Sequence, residues 1–440
     1  MLWQIKKVLK NHFPDLQARL LSLNDPRNGE QYTIEELIMS AIVLFLLNCD
    51  SRNDFNSKVK NKEFRHNYYR MFRLNPPHID TVNDLFKAME PQELEYLRCR
   101  LVNALIEKRV FHKLRFWSNY FYVAIDGTGV YNWGDNPPKD ILNHAIKKES
   151  SSGKISYSSL VLEAVLVCNN GLTIPLMSEW IANEGQEYDK QDCELNAFKR
   201  LANRLKEYFP RLNICILADG LYSNVSMMDI CREYRWKFIT VFRDGNLPSV
   251  WQEVESLCKI ASASRCCQQQ ICDSTHCTTY NYRWISDIEY KKHNIRWMEC
   301  NQEKVHKKNK DKEENRFVFL TNLDVNQDNI ACIFMAGRAR WNIEEHFNTQ
   351  KNRGGALHHK FNRKSFNAIR NWHSIRQLTC MITQLIKHTS ELQQMLKDYS
   401  KITWKELWKN LNSYLSMCQV DEVIVEFEHW SKSRRQVRLE

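Results

Sequence analysis

Ile214-Cys-Ile-Leu-Ala-Asp219-Gly-Leu-Tyr222 is an apolar run of strand length that stops on an acid and a glycine, and Tyr122-Val-Ala-Ile-Asp126-Gly-Thr-Gly129 repeats the design earlier in the chain. Each reads as a buried strand that delivers a carboxylate to its carboxyl end, where glycines let backbone or substrate approach closely. Asp-Gly is also common in turns, so either acid alone is equally well read as a turn former. The repetition of the design, with a further acid downstream, is what points to chemistry.

Around these runs the texture is one of short β-branched and aromatic stretches: residues 120–125, 160–168 and, after the turn Asn169-Asn170-Gly171, 172–180. Asp192 is placed to cap an amphipathic helix over 193–209, with Leu195, Phe198, Leu201, Leu205 and Tyr208 on one side. The strand 213–218, a helix after Ser226 and the strand 237–241 complete the order βββαβαβ. That is the order of a ribonuclease-H-like α/β fold, a mixed sheet flanked by helices. In such a sheet the strands carrying Asp126 and Asp219 are neighbours, and both carboxylates face one pocket.

At 440 residues the chain exceeds a single ordinary core. Residues 1–115 read as a helical domain: Thr33 and Glu36 make a capping box ahead of an apolar helix over 34–47, and Pro91 opens another running to about residue 110. The catalytic core falls in two parts, 116–244 and 316–390, separated by a β-rich insertion over 245–315 and followed by a helical basic tail over 391–440. Inside the insertion, 282–288 and 295–300 alternate as strands, 304–314 (KVHKKNKDKEE) reads as a solvated loop, and 316–322 restores an apolar strand. Lys and Arg outnumber Asp and Glu by 63 to 52, a net +11, which suits a polyanionic partner or simply a solvated surface. The fifteen scattered cysteines, with no secretory pattern at the start, read as reduced thiols of a cytoplasmic protein. The most apolar run, 37–47, is a buried helix, because eleven residues fall short of the roughly 18 that span a bilayer.

The third acid is Glu344, in Arg340-Trp-Asn-Ile-Glu344-Glu-His-Phe-Asn-Thr-Gln-Lys351. On a helix Arg340, Glu344 and Lys351 share a face, which sets a carboxylate between two phosphate-seeking cations, while Ile343 and Phe347 anchor the helix to the sheet. Glu345 is the rival for the same place, and an ordinary salt-bridged helix is the plain alternative. Asp126, Asp219 and Glu344 together are a carboxylate set able to hold divalent cations, which screen the charge of a phosphodiester against an attacking oxygen.

At these residues the chain resembles the DDE-class insertion-sequence transposases, in the branch whose Tyr, Arg, Glu, Lys signature is spaced by two, three and six residues. Arg340, Glu344 and Lys351 fit the spacing, and Gly337 stands at the Tyr position, a departure from the pattern. The resemblance covers roughly residues 120–380; outside it there is only a general likeness in the amino-terminal helices, including Asp25-Pro26-Arg27. It implies cut-and-paste DNA transposition, in which a strand is cleaved at the element end and the freed 3′ hydroxyl attacks target DNA. Asp126, Asp219 and Glu344 are then both catalytic and metal-binding, Asp126 bridging two Mg²⁺ ions, with Mn²⁺ as a substitute. Arg340 and Lys351 hold phosphates. The implied partners are terminal inverted repeats and target DNA, bound by a homodimer in a prokaryotic cytosol. A catalytically silent DNA-binding descendant and a nuclease without strand transfer are the other readings of the same residues.

Several further constellations bear on DNA. Trp284 and Trp297 read either as core or as platforms for an unpaired base. His358, His359, Lys360, Arg363 and Lys364, after Gly354-Gly355, read either as a DNA-backbone contact or as a solvated turn. Glu163 and Glu179 read as salt-bridged sheet residues ahead of a fourth metal ligand. The spacing of Cys266, Cys267, Cys272 and Cys277, with His276, matches no standard zinc site. Lys6, Lys7 and Lys10 read as water-facing or as contacts to terminal-repeat DNA.

Overall fold

In a computed structural model, which describes residues 2–27, 31–182, 193–260, 264–398, 403–420 and 439, ten strands join in one mixed sheet flanked by helices. They are β1 (Phe121–Gly134), β2 (Ile146–Glu149), β3 (Ile155–Val167), β4 (Thr173–Ile181), β5 (Ile214–Ala218), β6 (Lys237–Val241), β7 (Ser264–Cys272), β8 (His276–Tyr290), β9 (His293–His306) and β10 (Lys312–Thr321). The order is β2-β3-β1-β5-β6-β10-β9-β8-β7, with β4 also paired to β3. β3 runs antiparallel to β1 and to β4, whereas β5 is parallel to β1 and β6 parallel to β5.

Side-chain parity assigns the two faces of the centre. Val123, Ile125, Ile214 and Ile216 join a large core with Phe198, Leu201 and Leu205 of the helix Glu194–Tyr208. Their alternates Tyr122, Ala124, Cys215 and Leu217 join a second core with Ile333 and Phe334 of the helix Ile330–Arg338 and with Ile343 and Phe347 of the helix Asn342–Asn352. These β-branched and aliphatic runs are buried on both faces, as interior strands must be. Asp192 and residues 432–438 of the basic tail lie outside the described residues.

The inserted segment is β-rich as expected, but it does not close on itself. After the helix Pro248–Cys258, β7, β8, β9 and β10 pair antiparallel in succession, and β10 pairs with β6, so the insertion lengthens the central sheet. The charged run expected to be a loop is mostly strand. β9 continues to His306 and β10 starts at Lys312, with the turn over 307–311 between them, and Lys312 reaches Glu303 across the ladder and Glu314 along its own strand. Cys272 and Cys277 correct the expectation of reduced thiols throughout. They face each other in register where the β7–β8 hairpin closes, and they form a disulfide.

The amino-terminal helices also lack a core of their own. The capping box forms as read, with Glu36 N donating to Thr33 Oγ1 at 3.2 Å and Thr33 N to Glu36 Oε2 at 3.1 Å, and it opens the helix Ile34–Leu46. That helix packs on the long helix Phe366–Lys387, whose other side lies on β4. Asn371 Nδ2 donates to the carbonyls of Phe86 and Met89 at 2.9 and 2.8 Å, and Trp372 Nε1 to Asn83 Oδ1 at 3.2 Å, so buried polar groups tie the helices to the sheet layer in one continuous core. Among the described residues no helix is long and apolar enough to cross a membrane.

Candidate active site

Asp126 and Asp219 come together through strand register. Ala124 and Leu217 are the last registered pair of β1 and β5, and each acid lies two residues further on, so parity turns both toward the face covered by the Glu344 helix. The expectation that Asp126 ends its strand is corrected: β1 continues to Gly134, and only Asp219 marks a strand end. Asp219 caps the short turn Gly220–Tyr222, its Oδ1 accepting from Leu221 N at 2.9 Å, and Arg243 Nη2 lies 3.8 Å from its Oδ2.

Glu344 reaches this pair through Arg340. The guanidinium donates through Nη2 to Glu344 Oε1 at 2.7 Å, and its Nη1 lies 3.8 Å from Asp126 Oδ2. Arg340 sits in the tight turn Ala339–Trp341 between two helices and is only 6% exposed, so it does not share an open face with Lys351; it stands between the two acids. Glu345, the rival for the same place, pairs with Arg353 instead, and among the described residues no ion pair links that arginine to Asp126 or Asp219. Lys351 is half-buried, and burial lowers its pKa while Asp126 pulls it back up, which sets the ammonium within electrostatic reach of that acid.

Gly337, at the Tyr position of the signature, is buried where the helix Ile330–Arg338 lies on β6 and β10. A Cβ there would meet Phe319 Cε1 at 2.9 Å and Ile239 Cγ2 at 3.1 Å. The departure therefore has a packing cause.

A fourth acid went unread in the sequence. Glu194, the first residue of its helix, lies over Gly127, whose Cβ would come within 2.5 Å of Glu194 Oε1, and Tyr222 Oη donates to Glu194 Oε2 at 3.4 Å. The glycine read as room for substrate is room for this carboxylate. An acid at a helix start matches the helix dipole and carries no other local signal. Desolvation pushes the Asp126 carboxyl up to about 6, with Glu194 and Asp219 adding to the shift and Arg340 opposing it. Burial, then Asp219, raises Glu194. Because the folded-state pKa of Asp126 lies above the unfolded value near 3.8, ionising it costs stability above about pH 6, a cost that fades as pH falls toward 4. Asp126→Asn is accordingly expected to raise the thermal midpoint of the metal-free protein at pH 8 by up to about 3 kcal/mol in stability, with the gain gone near pH 4. Calorimetry at the two pH values checks this.

Among the described residues no three His, Cys, Asp or Glu side chains are gathered closely enough to hold a metal ion, Arg340 being interposed between Asp126 and Glu344. The donor set nonetheless fits a hard divalent cation. Asp126, Asp219, Glu194 and Glu344 offer carboxylate oxygens only, the donors that Mg²⁺ and similar ions take.

The residues expected to touch DNA divide. Trp284 and Trp297 are 2% and 1% exposed, which corrects the base-stacking reading. They lie on β8 and β9, interior strands whose faces are covered, Trp284 with Tyr282, Met298 and Phe334, and Trp297 with Ile285, Ile288 and Ile295. His358 Nδ1 lies 3.0 Å from Val130 O, and Lys360 Nζ donates to Asn132 O at 2.6 Å, so both pin the segment after the Glu344 helix to β1. Arg363 is exposed. Glu179 pairs with Arg200 and Arg204, as read; Glu163 is hydrogen-bonded rather than salt-bridged, its Oε1 2.6 Å from Nε2 of His373, whose pKa burial lowers. Lys7 is buried and paired with Glu391, so it faces neither water nor DNA.

The chain matches no protein-family profile, and no curated protein is detectably similar to it. Fold and site by themselves define an α/β protein with acids converging where two adjacent parallel strands carry them past the sheet centre.

Proposed function

We propose that this chain is a DDE-class DNA transposase built on a ribonuclease-H-like core. The observation that carries the reading is the placement of Asp126 and Asp219 on neighbouring parallel strands, with Glu344 joined to Asp126 through Arg340. The strand sequence β4-β3-β1-β5-β6, antiparallel on one side of β1 and parallel on the other, supports the fold assignment, as does an insertion between β6 and the Glu344 helix.

In this reading Asp126, Asp219 and Glu344 hold two Mg²⁺ ions, for which Mn²⁺ can stand in. The ions supply charge screening for the phosphodiester and activation of the attacking oxygen. The side chains do the rest. Lys351 lies within electrostatic reach of Asp126, from where its ammonium would neutralise charge building on the phosphate oxygens. Arg340 is a positioning residue: from its buried turn it fixes the Glu344 carboxylate relative to Asp126. Water adds to phosphorus as the bond to the 3′ oxygen breaks, leaving a 3′ hydroxyl, and that hydroxyl then displaces a 3′ oxygen in target DNA. A homodimer would hold the two terminal inverted repeats for these steps.

The test is incubation of the protein with Mg²⁺ and a supercoiled plasmid carrying the native element ends. Nicked and joined products are expected; nicking alone would make it a nuclease of the same fold, and binding alone a silent DNA-binding descendant. The second of these has one observation in its favour, the packing at Gly337 that leaves no place for the signature Tyr. Divalent cation should also stabilise the fold, by about 2.7 kcal/mol at a hundredfold excess over Kd, so the thermal midpoint should rise with Mg²⁺ for the wild type and not for Asp126→Ala.

A further inference from the structure

Where the Glu344 helix ends, a cleft of about 890 Å³ opens between residues 349–355, the helix Phe366–Lys387 and the helix Trp404–Met417. Among the described residues that line it, Asp50 is the one carboxylate, against Arg353, Arg376, Lys387, Lys405 and Lys409. Two of these cations are engaged: Arg353 pairs with Glu345, and Arg376 donates through Nε to Gly355 O at 2.8 Å. No carboxylate forms an ion pair with Lys387, Lys405 or Lys409 among the described residues. Lys387 is half-buried in the helix Phe366–Lys387, its ammonium 5.6 Å from the ring centre of Trp404, and burial lowers its pKa, with Cys380 and Glu345 opposing the effect and Arg353 adding to it. A partly buried cation with no anion in direct contact is costly to keep charged, and a ligand's anion would offset that cost.

We propose that this cleft binds the sugar-phosphate backbone of a single DNA strand, with Lys387, Lys405 and Lys409 on its phosphates and Trp404 against a base. The inference rests on the reading of the chain as a DNA-processing enzyme and adds to it a site beyond the acids. Charge selects a polyanion. Volume selects its form: the cleft lies within the roughly 300–1,000 Å³ of ordinary ligand sites, room for a few nucleotides and too little for a duplex. Trp404 supplies the aromatic platform that such sites pair with basic side chains. Position adds the link to the acids, since the lining starts at Thr349, within the helix that carries Glu344 and Lys351.

Fluorescence anisotropy of a labelled single-stranded oligonucleotide, titrated with the full chain over a range of KCl concentrations, tests the proposal. Lys405 and Lys409 are exposed, so Lys405→Gln/Lys409→Gln should fold normally. Losing two phosphate contacts should lower the slope of log K against log salt by about 1.4, and Trp404→Ala should weaken binding roughly tenfold. An unchanged slope with unchanged affinity would overturn the proposal, as would tighter binding of a duplex of equal length or equal binding of oligo-aspartate, the last marking an acidic protein partner. Plasmid nicking by the wild type is read separately. A changed slope without nicking leaves the cleft standing and removes the transposase reading, while nicking with an unmoved slope does the reverse.

Discussion

Replacing Asp126 by alanine is expected to remove Mg²⁺-dependent strand cleavage, by at least about 10²–10³-fold, without unfolding the protein. The carboxylate lies at the centre of the site: Arg340 Nη1 is 3.8 Å from it, Asp219 sits beside it across parallel strands, and Glu194 and Lys351 act on it electrostatically. Its loss should leave packing intact, since its neighbours Ile125 and Ala124 form the cores. Asp219→Ala should behave alike. Glu345→Ala is the control, because that side chain is exposed and its partners are Arg353 and Asn348, so its loss should change the cleavage rate by less than about twofold. Single-turnover cleavage of a labelled element end, with circular dichroism melts of each variant, separates chemistry from folding. Cleavage by Asp126→Ala at the wild-type rate would remove the basis of the proposed function.

Gly337→Tyr, which places the Tyr of the resembled signature at this position, is expected to damage the protein rather than improve it. A Cβ already lies 2.9 Å from Phe319 Cε1 and 3.0 Å from Phe319 Cζ, and both Phe319 and Ile239 are buried strand residues held by their ladders. Overpacking by a single methyl in such a place costs about 1–3 kcal/mol, which outweighs the roughly 1 kcal/mol of helix propensity that alanine gains over glycine. A phenol ring needs the helix to lift off β6 and β10, at a cost on the order of 4–5 kcal/mol against a total stability of about 5–15 kcal/mol. Gly337→Ala should therefore melt a few degrees lower, and Gly337→Tyr should lose its cooperative transition or fail to accumulate in soluble form. A Tyr variant that melted like the wild type would mean that the helix is not seated so closely. The same seating explains Arg340: with the helix Ile330–Arg338 held close to the sheet, the turn that follows it brings the guanidinium down between Asp126 and Glu344.

Much of the frame was legible because it depends on neighbours in the chain. The run over 237–241 becomes β6 over the same residues, and the helix read over 193–209 is Glu194–Tyr208, both set by local apolar periodicity. The capping box at Thr33 is a contact across three residues, and it forms as read. Legibility ended where a strand's neighbours mattered. The alternation over 282–288 marked a strand, but only pairing of β8 between β7 and β9 decided that Trp284 is core and not a platform for a base. The charged run over 304–314 is largely exposed, as read, but its two ends are strand because β9 pairs with β10, a pairing no local pattern announces.

From the amino-acid order alone come the helices, the strands, and the placing of Asp126 and Asp219 on runs that an α/β sheet of this connectivity sets side by side, because capping, alternation and turn chemistry act over a few residues. Tertiary packing alone decides that Glu194 lies on Gly127, that Gly337 has no room for a side chain, that Arg340 is buried between two acids, and that lysines gather in a cleft beyond the Glu344 helix. The reason is physical: burial and field at a side chain are set by whatever packs against it, and those partners lie far away along the chain.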